Sequence, residues 1–109
     1  MPNSGPTPLV DEANTPTIFN VPVATANTEV SQALPNATRK LTIKARRVPG
    51  QPFPTIKFAF ISGQSNVDFI TIPPGCSYSE DNLDLNNQVL YLQTDQAPVT
   101  IEVLSWSRV

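Results

Sequence analysis

The chain has no histidine in 109 residues, one cysteine, four glycines and only 15% charged residues. Each shortage removes a class of chemistry. Without histidine there is no side chain whose unperturbed titration falls near neutral pH, and neither a Ser-His-Asp nor a Cys-His nucleophilic arrangement can be assembled. The commonest metal ligand is missing as well. Cys76 cannot form an intrachain disulfide, which fits assembly in a reducing compartment. It follows Pro73-Pro74-Gly75 with no basic neighbour to favour a thiolate, so it reads as a small apolar filler at a turn. The glycines stand alone at positions 5, 50, 63 and 75, and no glycine-rich loop is left to cradle a phosphate. No run approaches the roughly eighteen apolar residues that a membrane-spanning helix needs. The opening MPNSGPTPLVDEANTP lacks the basic and apolar regions of a secretory signal. A soluble protein made in a cytoplasm, without membrane contact, is therefore expected. The net charge of −2 gives no global attraction to nucleic acid.

What is abundant is proline, twelve in all, together with short alternating runs. Residues 1–16 hold Pro2, Pro6, Pro8 and Pro16 and no aromatic residue. Such a segment cannot bury enough apolar surface to offset its ordering entropy, and it reads as an extended arm whose apolar anchors are Leu9 and Val10. From Thr17 the pattern turns to period two. TIFNVPVAT (17–25), TEVSQAL (28–34), RKLTIKARRV (39–48), TIKFAFIS (55–62), VDFITI (67–72), QVLYLQT (88–94) and PVTIEVLSWS (98–107) read as strands. Pro22 confines the first to a sheet edge or bulge. Ile56, Phe58 and Phe60 are expected to face one core together, with Lys57 opposite. VPGQPFP (48–54), SGQSN (62–66), PPG (73–75) and DQAP (95–98) supply turns, and SYSEDNLDLNN (77–87) reads as a polar, acidic stretch. The sum is an all-β fold: a β-sandwich or jelly roll of seven to eight short antiparallel strands over residues 17–109, preceded by the extended N-terminal arm.

Charge is segregated along the chain. Residues 39–47, RKLTIKARR, carry five of the seven cations and no acid, while residues 80–95 carry four acids and no cation. Alternation places Leu41, Ile43 and Ala45 inward and Lys40, Lys44 and Arg46 outward, with Arg39 and Arg47 at the rim. No aromatic platform accompanies these cations, which argues against nucleic-acid binding. Two readings stay open: a charged face that blunts a sheet edge, or a docking surface for an acidic neighbour such as Glu80, Asp81 and Asp84 of another copy. Those acids, with Asn82, Asn86 and Asn87, offer oxygen atoms to a calcium ion but lack the spacing of an EF-hand loop, so they read as a solvated loop. No catalytic residue, cofactor or metal is expected. The residues expected to meet a partner are Leu9, Val10, Arg39, Lys40, Lys44, Arg46, Arg47, Glu80, Asp81 and Asp84.

Three consecutive pieces carry a resemblance: TIKFAFISGQSNVDFITIPPGCSYSEDNLDL, QVLYLQT and VTIEVLSWS. Their order, with a basic strand before them, is hairpin, I-P-P-G-x-S-Y turn, L-Y-L strand and a final strand ending in tryptophan. Over residues 39–107 the chain resembles small structural proteins from the virions of tailed bacteriophages. That resemblance implies a non-enzymatic, multi-copy component, best fitted by a capsid decoration or cement protein. Proteins of that type bind outside the shell as oligomers, commonly trimers, and can clamp neighbouring subunits with an extended arm. The implied partners are the major capsid protein or other virion proteins, with assembly in the host bacterial cytoplasm and residence in the virion. The alternative is a tail, baseplate or fibre-associated sandwich that binds a carbohydrate or receptor, for which Tyr78, Trp106 and Phe53 are the aromatic candidates.

Overall fold

The computed structural model describes residues 14–108, which form eight strands and no helix. They are β1 (Thr15–Val23), β2 (Val30–Ala33), β3 (Thr38–Ala45), β4 (Ile56–Ala59), β5 (Ile70–Ile72), β6 (Ser77–Glu80), β7 (Val89–Thr94) and β8 (Val99–Ser107). Two four-stranded antiparallel sheets result, ordered β1-β8-β3-β6 and β2-β7-β4-β5. The pairing follows one rule: first strand with last, second with seventh, third with sixth, fourth with fifth. Contacts of β3 with β8 and of β4 with β7 then complete each sheet. Leu9 and Val10, the expected anchors of an arm, lie outside the described residues.

Period-two alternation explains the core. On β8, Val99, Ile101 and Val103 are buried while Thr100, Glu102 and Leu104 between them are half-buried on the outer side. Leu41 and Ile43 of β3 and Val21 and Val23 of β1 join them from the same sheet. Ile56, Phe58, Ile72, Leu90 and Leu92 meet them from the second sheet. Burying one such side chain stabilises the fold by about 1.5–3 kcal/mol. The inward and outward assignments of β3 and β8 agree with the sequence pattern.

Four expectations are corrected. Strand β1 begins at Thr15, so Thr15 and Pro16 pair with Ser107 and Trp106 instead of belonging to an arm. It is an edge strand, and Pro16 and Pro22 share one parity, so the ladder to β8 runs through the intervening odd residues. Next, the strand expected to reach Ser62 ends at Ala59, and β5 starts only at Ile70. Phe60 is therefore left 37% exposed instead of buried beside Phe58, although the two rings still meet edge-on at 6.1 Å. Third, the polar stretch 77–87 begins as a strand: β6 pairs Ser77–Glu80 with Lys44–Leu41 of β3. Finally, Cys76 is exposed and fills no gap.

One end of the sandwich gathers several turns. Thr38 pairs with both Ser107 and Leu85, and Ala33 with Val89, which brings the β2–β3 and β6–β7 connections together. There Asn36 Oδ1 accepts from Asn87 N (2.8 Å), and Asn86 Oδ1 accepts from Ala37 N (2.9 Å), a reciprocal clasp. Ala37 is held at φ 60°, in the left-handed region where a Cβ is penalised.

Candidate functional site

The basic strand lies inside its sheet, not at the edge, so its cations project from the outer face between β8 and β6. Register puts Glu102 of β8 beside Lys44 of β3 and Asn20 of β1. Arg46 donates from Nε to Glu102 Oε2 at 2.8 Å and from Nη2 to Asn20 Oδ1 at 3.0 Å. Lys44 Nζ sits 3.5 Å from Glu102 Oε1. The hydrogen bond from Arg46 holds the Glu102 carboxyl below its ordinary range, against the opposing effect of burial, and both cations add to that lowering. Two of the residues expected to dock an acidic partner thus share an acid of their own chain.

Arg39 departs from the alternation for a local reason. Thr38 pairs with Ser107 and Lys40 with Trp106, so Arg39 is the extra residue of a β-bulge. Its carbonyl accepts from Leu83 N (3.0 Å), and its Nη1 lies 3.4 Å from Asp84 Oδ1. The acidic stretch is therefore pinned along the start of β3, with Leu83 and Leu85 packed against the core. Arg39 and Asp84 come together; Arg47 instead lies over the Phe53 ring, 5.6 Å from its centroid.

Lys40, Glu80 and Asp81 line a shallow depression of 330 Å³ beside Trp106, with the hydroxyls of Thr42 and Ser79 on its floor. Tyr78 points the other way: its ring packs against Phe58 at 4.9 Å, and its hydroxyl donates to Glu80 Oε1 at 3.1 Å. Burial, with the Glu80 carboxylate behind it, raises the Tyr78 phenol above its ordinary value. Among the described residues no group of three or more Cys, Asp or Glu side chains is arranged to hold a metal ion.

Sequence reasoning missed two features of the second sheet. The first is Glu29. Its carboxylate accepts from Gly63 N (2.8 Å), Ser65 N (3.1 Å) and Ser65 Oγ (2.6 Å), anchoring the β4–β5 connection from 34 to 36 residues away. Gly63 accommodates the turn at φ 80°, in the left-handed region. Beside it Gln93 donates to Ser65 O (3.1 Å) and Lys57 to Asn66 Oδ1 (3.0 Å), so the connection folds back over the outer face of the sheet. Burial opposes ionisation of Glu29, but its three hydrogen bonds outweigh that and lower its pKa.

The second feature is an apolar groove of 440 Å³ where β4 outruns β5, lined by Phe60, Ile61, Phe69 and Ile70 among others. Its only sequence signal is the low charge of this region: between Lys57 and Glu80 the one charged residue is Asp68. Compared with family models, with curated proteins and with solved structures, the chain matches none.

Proposed function

We propose that the chain is a non-enzymatic structural protein of a virion, a jelly-roll domain that binds the particle surface and stabilises it. The observation that carries this reading is the strand order. Two four-stranded sheets in which first pairs with last and second with seventh support the reading of an eight-stranded jelly roll, an architecture common among viral capsid and lectin domains. The phage resemblance of residues 39–107 supports the choice of a virion as the particle. The polar chemistry fits a binding role: Glu102 and Asp84 are committed to ion pairs and Glu29 to a loop. Attachment would draw on the N-terminal segment, with Leu9 and Val10 as anchors, and the particle's capsid protein as partner.

The test is to locate the protein by electron microscopy in particles from cells that express it, and to repeat the experiment with residues 1–13 deleted. The deletion stops short of Thr15 and Pro16 because both belong to β1 and pair with β8. Density for the domain on the outer surface of the head, lost on deletion while the isolated domain stays folded, is the expected result. Absence of the protein from every particle sinks the reading.

One observation favours a second reading, a carbohydrate-binding module. Of the three aromatic candidates only Trp106 borders a depression that also presents Lys40, Glu80 and Asp81. Quenching of the lone tryptophan by a glycan would support it, and silence across a glycan array would remove it.

A further inference from the structure

Five large apolar side chains stand exposed around the β4–β5 margin: Ile61 at 68%, Val67 at 65%, Ile70 at 49%, and Phe60 and Phe69 at 37% each. Together they present on the order of 450 Å² of surface, within the range of the largest apolar patch on a monomer, which is often functional. We propose that this margin is where the chain docks against a second copy of itself. The proposal stands whether or not the protein resides on a virion.

Three properties of the margin select a second copy. The first is neutrality. In a two-fold contact the groups near the axis meet their own image, so a patch nearly free of charge can sit there without like-charge repulsion. Here Asp68 is the single charged residue across positions 58–79, and the nearby Lys57 has its Nζ 4.8 Å from the Phe69 ring centroid. The outer face of the first sheet, with Lys40, Lys44, Arg46 and Glu102, has no such neutrality.

The second property is the edge. Among the described residues, strand β5 pairs with β4 on one side and with no strand on the other. Ile70, Thr71 and Ile72 carry no charge and no proline, whereas the β1 edge carries Pro16 and Pro22. Exposed edges are ordinarily blunted by charge, proline, shortness or a cover, and β5, at three residues, has shortness alone. Two β5 edges meeting antiparallel would continue the β2-β7-β4-β5 sheet into its copy and close the contact at a pair.

The third is size. A stable interface takes about 800 Å² from each partner. The apolar margin supplies over half of that as the centre of the contact, and Gln64, Asp68 and Thr71 around it supply a polar rim.

Ile61 and Val67 are two-thirds exposed, so substitution there leaves the core intact. The full-length chain should sediment as a dimer at micromolar concentration. Ile61→Glu and Val67→Glu should each weaken dimerisation by at least about tenfold while the monomer keeps its melting temperature. Ile18→Glu, on the outer face of β1 at 70% exposure, is the matched control and should dimerise like the parent. A parent chain that stays monomeric at high concentration, or sediments as a trimer, overturns the proposal. So does a dimer indifferent to both glutamates.

Discussion

Replacing Glu29 by alanine tests the most specific polar arrangement in the molecule. The carboxylate serves two donors of Ser65, which is 2% exposed, and one of Gly63, which faces solvent. After Glu29→Ala, water can reach Gly63 N, but the Ser65 amide and hydroxyl are left buried without an acceptor. Each orphaned buried donor costs about 1–3 kcal/mol. The half-exposed position of Glu29 argues for the low end, about 2 kcal/mol in total. For a domain of this size that corresponds to a drop in Tm of about 8–16 °C. The β4–β5 connection could instead open locally and hydrate its donors, in which case Tm falls less and amide exchange at Ser65 accelerates by about thirtyfold for the same energy. Thermal unfolding and hydrogen exchange should therefore be measured on one sample. The double variant Glu29→Ala with Ser65→Ala separates the causes: it removes the orphaned hydroxyl and should be no less stable than Glu29→Ala alone. If Glu29→Ala changes neither Tm nor Ser65 exchange, or if the double variant loses the sum of the two single effects, the carboxylate does not anchor the connection.

Three further outcomes follow from features of the fold. Glu29 and Glu102 both have folded-state pKa values below the ordinary 4.5. The unfolded chain thus binds more protons just below that pH, so their contribution is present above about 4.5 and fades as pH falls through the lowered values; Tm against pH should show this slope, and Glu102→Gln should flatten it. Ser105 is fully buried and its hydroxyl has no partner among the described residues, so Ser105→Ala should raise stability by about 1 kcal/mol, read as a higher Tm. Ala37, at φ 60°, should gain about 0.5–1 kcal/mol on replacement by glycine, measured by denaturant unfolding.

The elements that alternate strictly were legible. In LTIKA and VTIEV, local steric periodicity alone decides which side chains face inward, and the sheets obey it. The β4–β5 region was not, because TIKFAFIS and VDFITI alternate just as well, yet only Ile56–Ala59 and Ile70–Ile72 pair. What ends those strands is the fold-back held by Glu29, a partner more than thirty residues away that no local pattern reveals. The bulge at Arg39 was hidden for a similar reason: it exists only relative to β8. The charge blocks pointed to contacts between copies, but Arg46, Lys44 and Arg39 find their acids at home in Glu102 and Asp84. Reversing Lys44 and Arg46 to glutamate would accordingly crowd three carboxylates and unsettle the fold, whatever the face does for a partner.

The pairing of first strand with last also dictates an order of events. While the chain is being made, β1 and β3 cannot touch as neighbours, because the place between them belongs to β8, the last strand to appear. The β2 and β4 strands wait in the same way for β7. Neither sheet has a centre until its late strand arrives, so no early fragment can hold a native core. Closure over such sequence distances is slow and leaves aggregation-prone edges open meanwhile. Proline and lysine are residue types that blunt open edges, and they lie on β1 and β3, the two strands that must wait for β8.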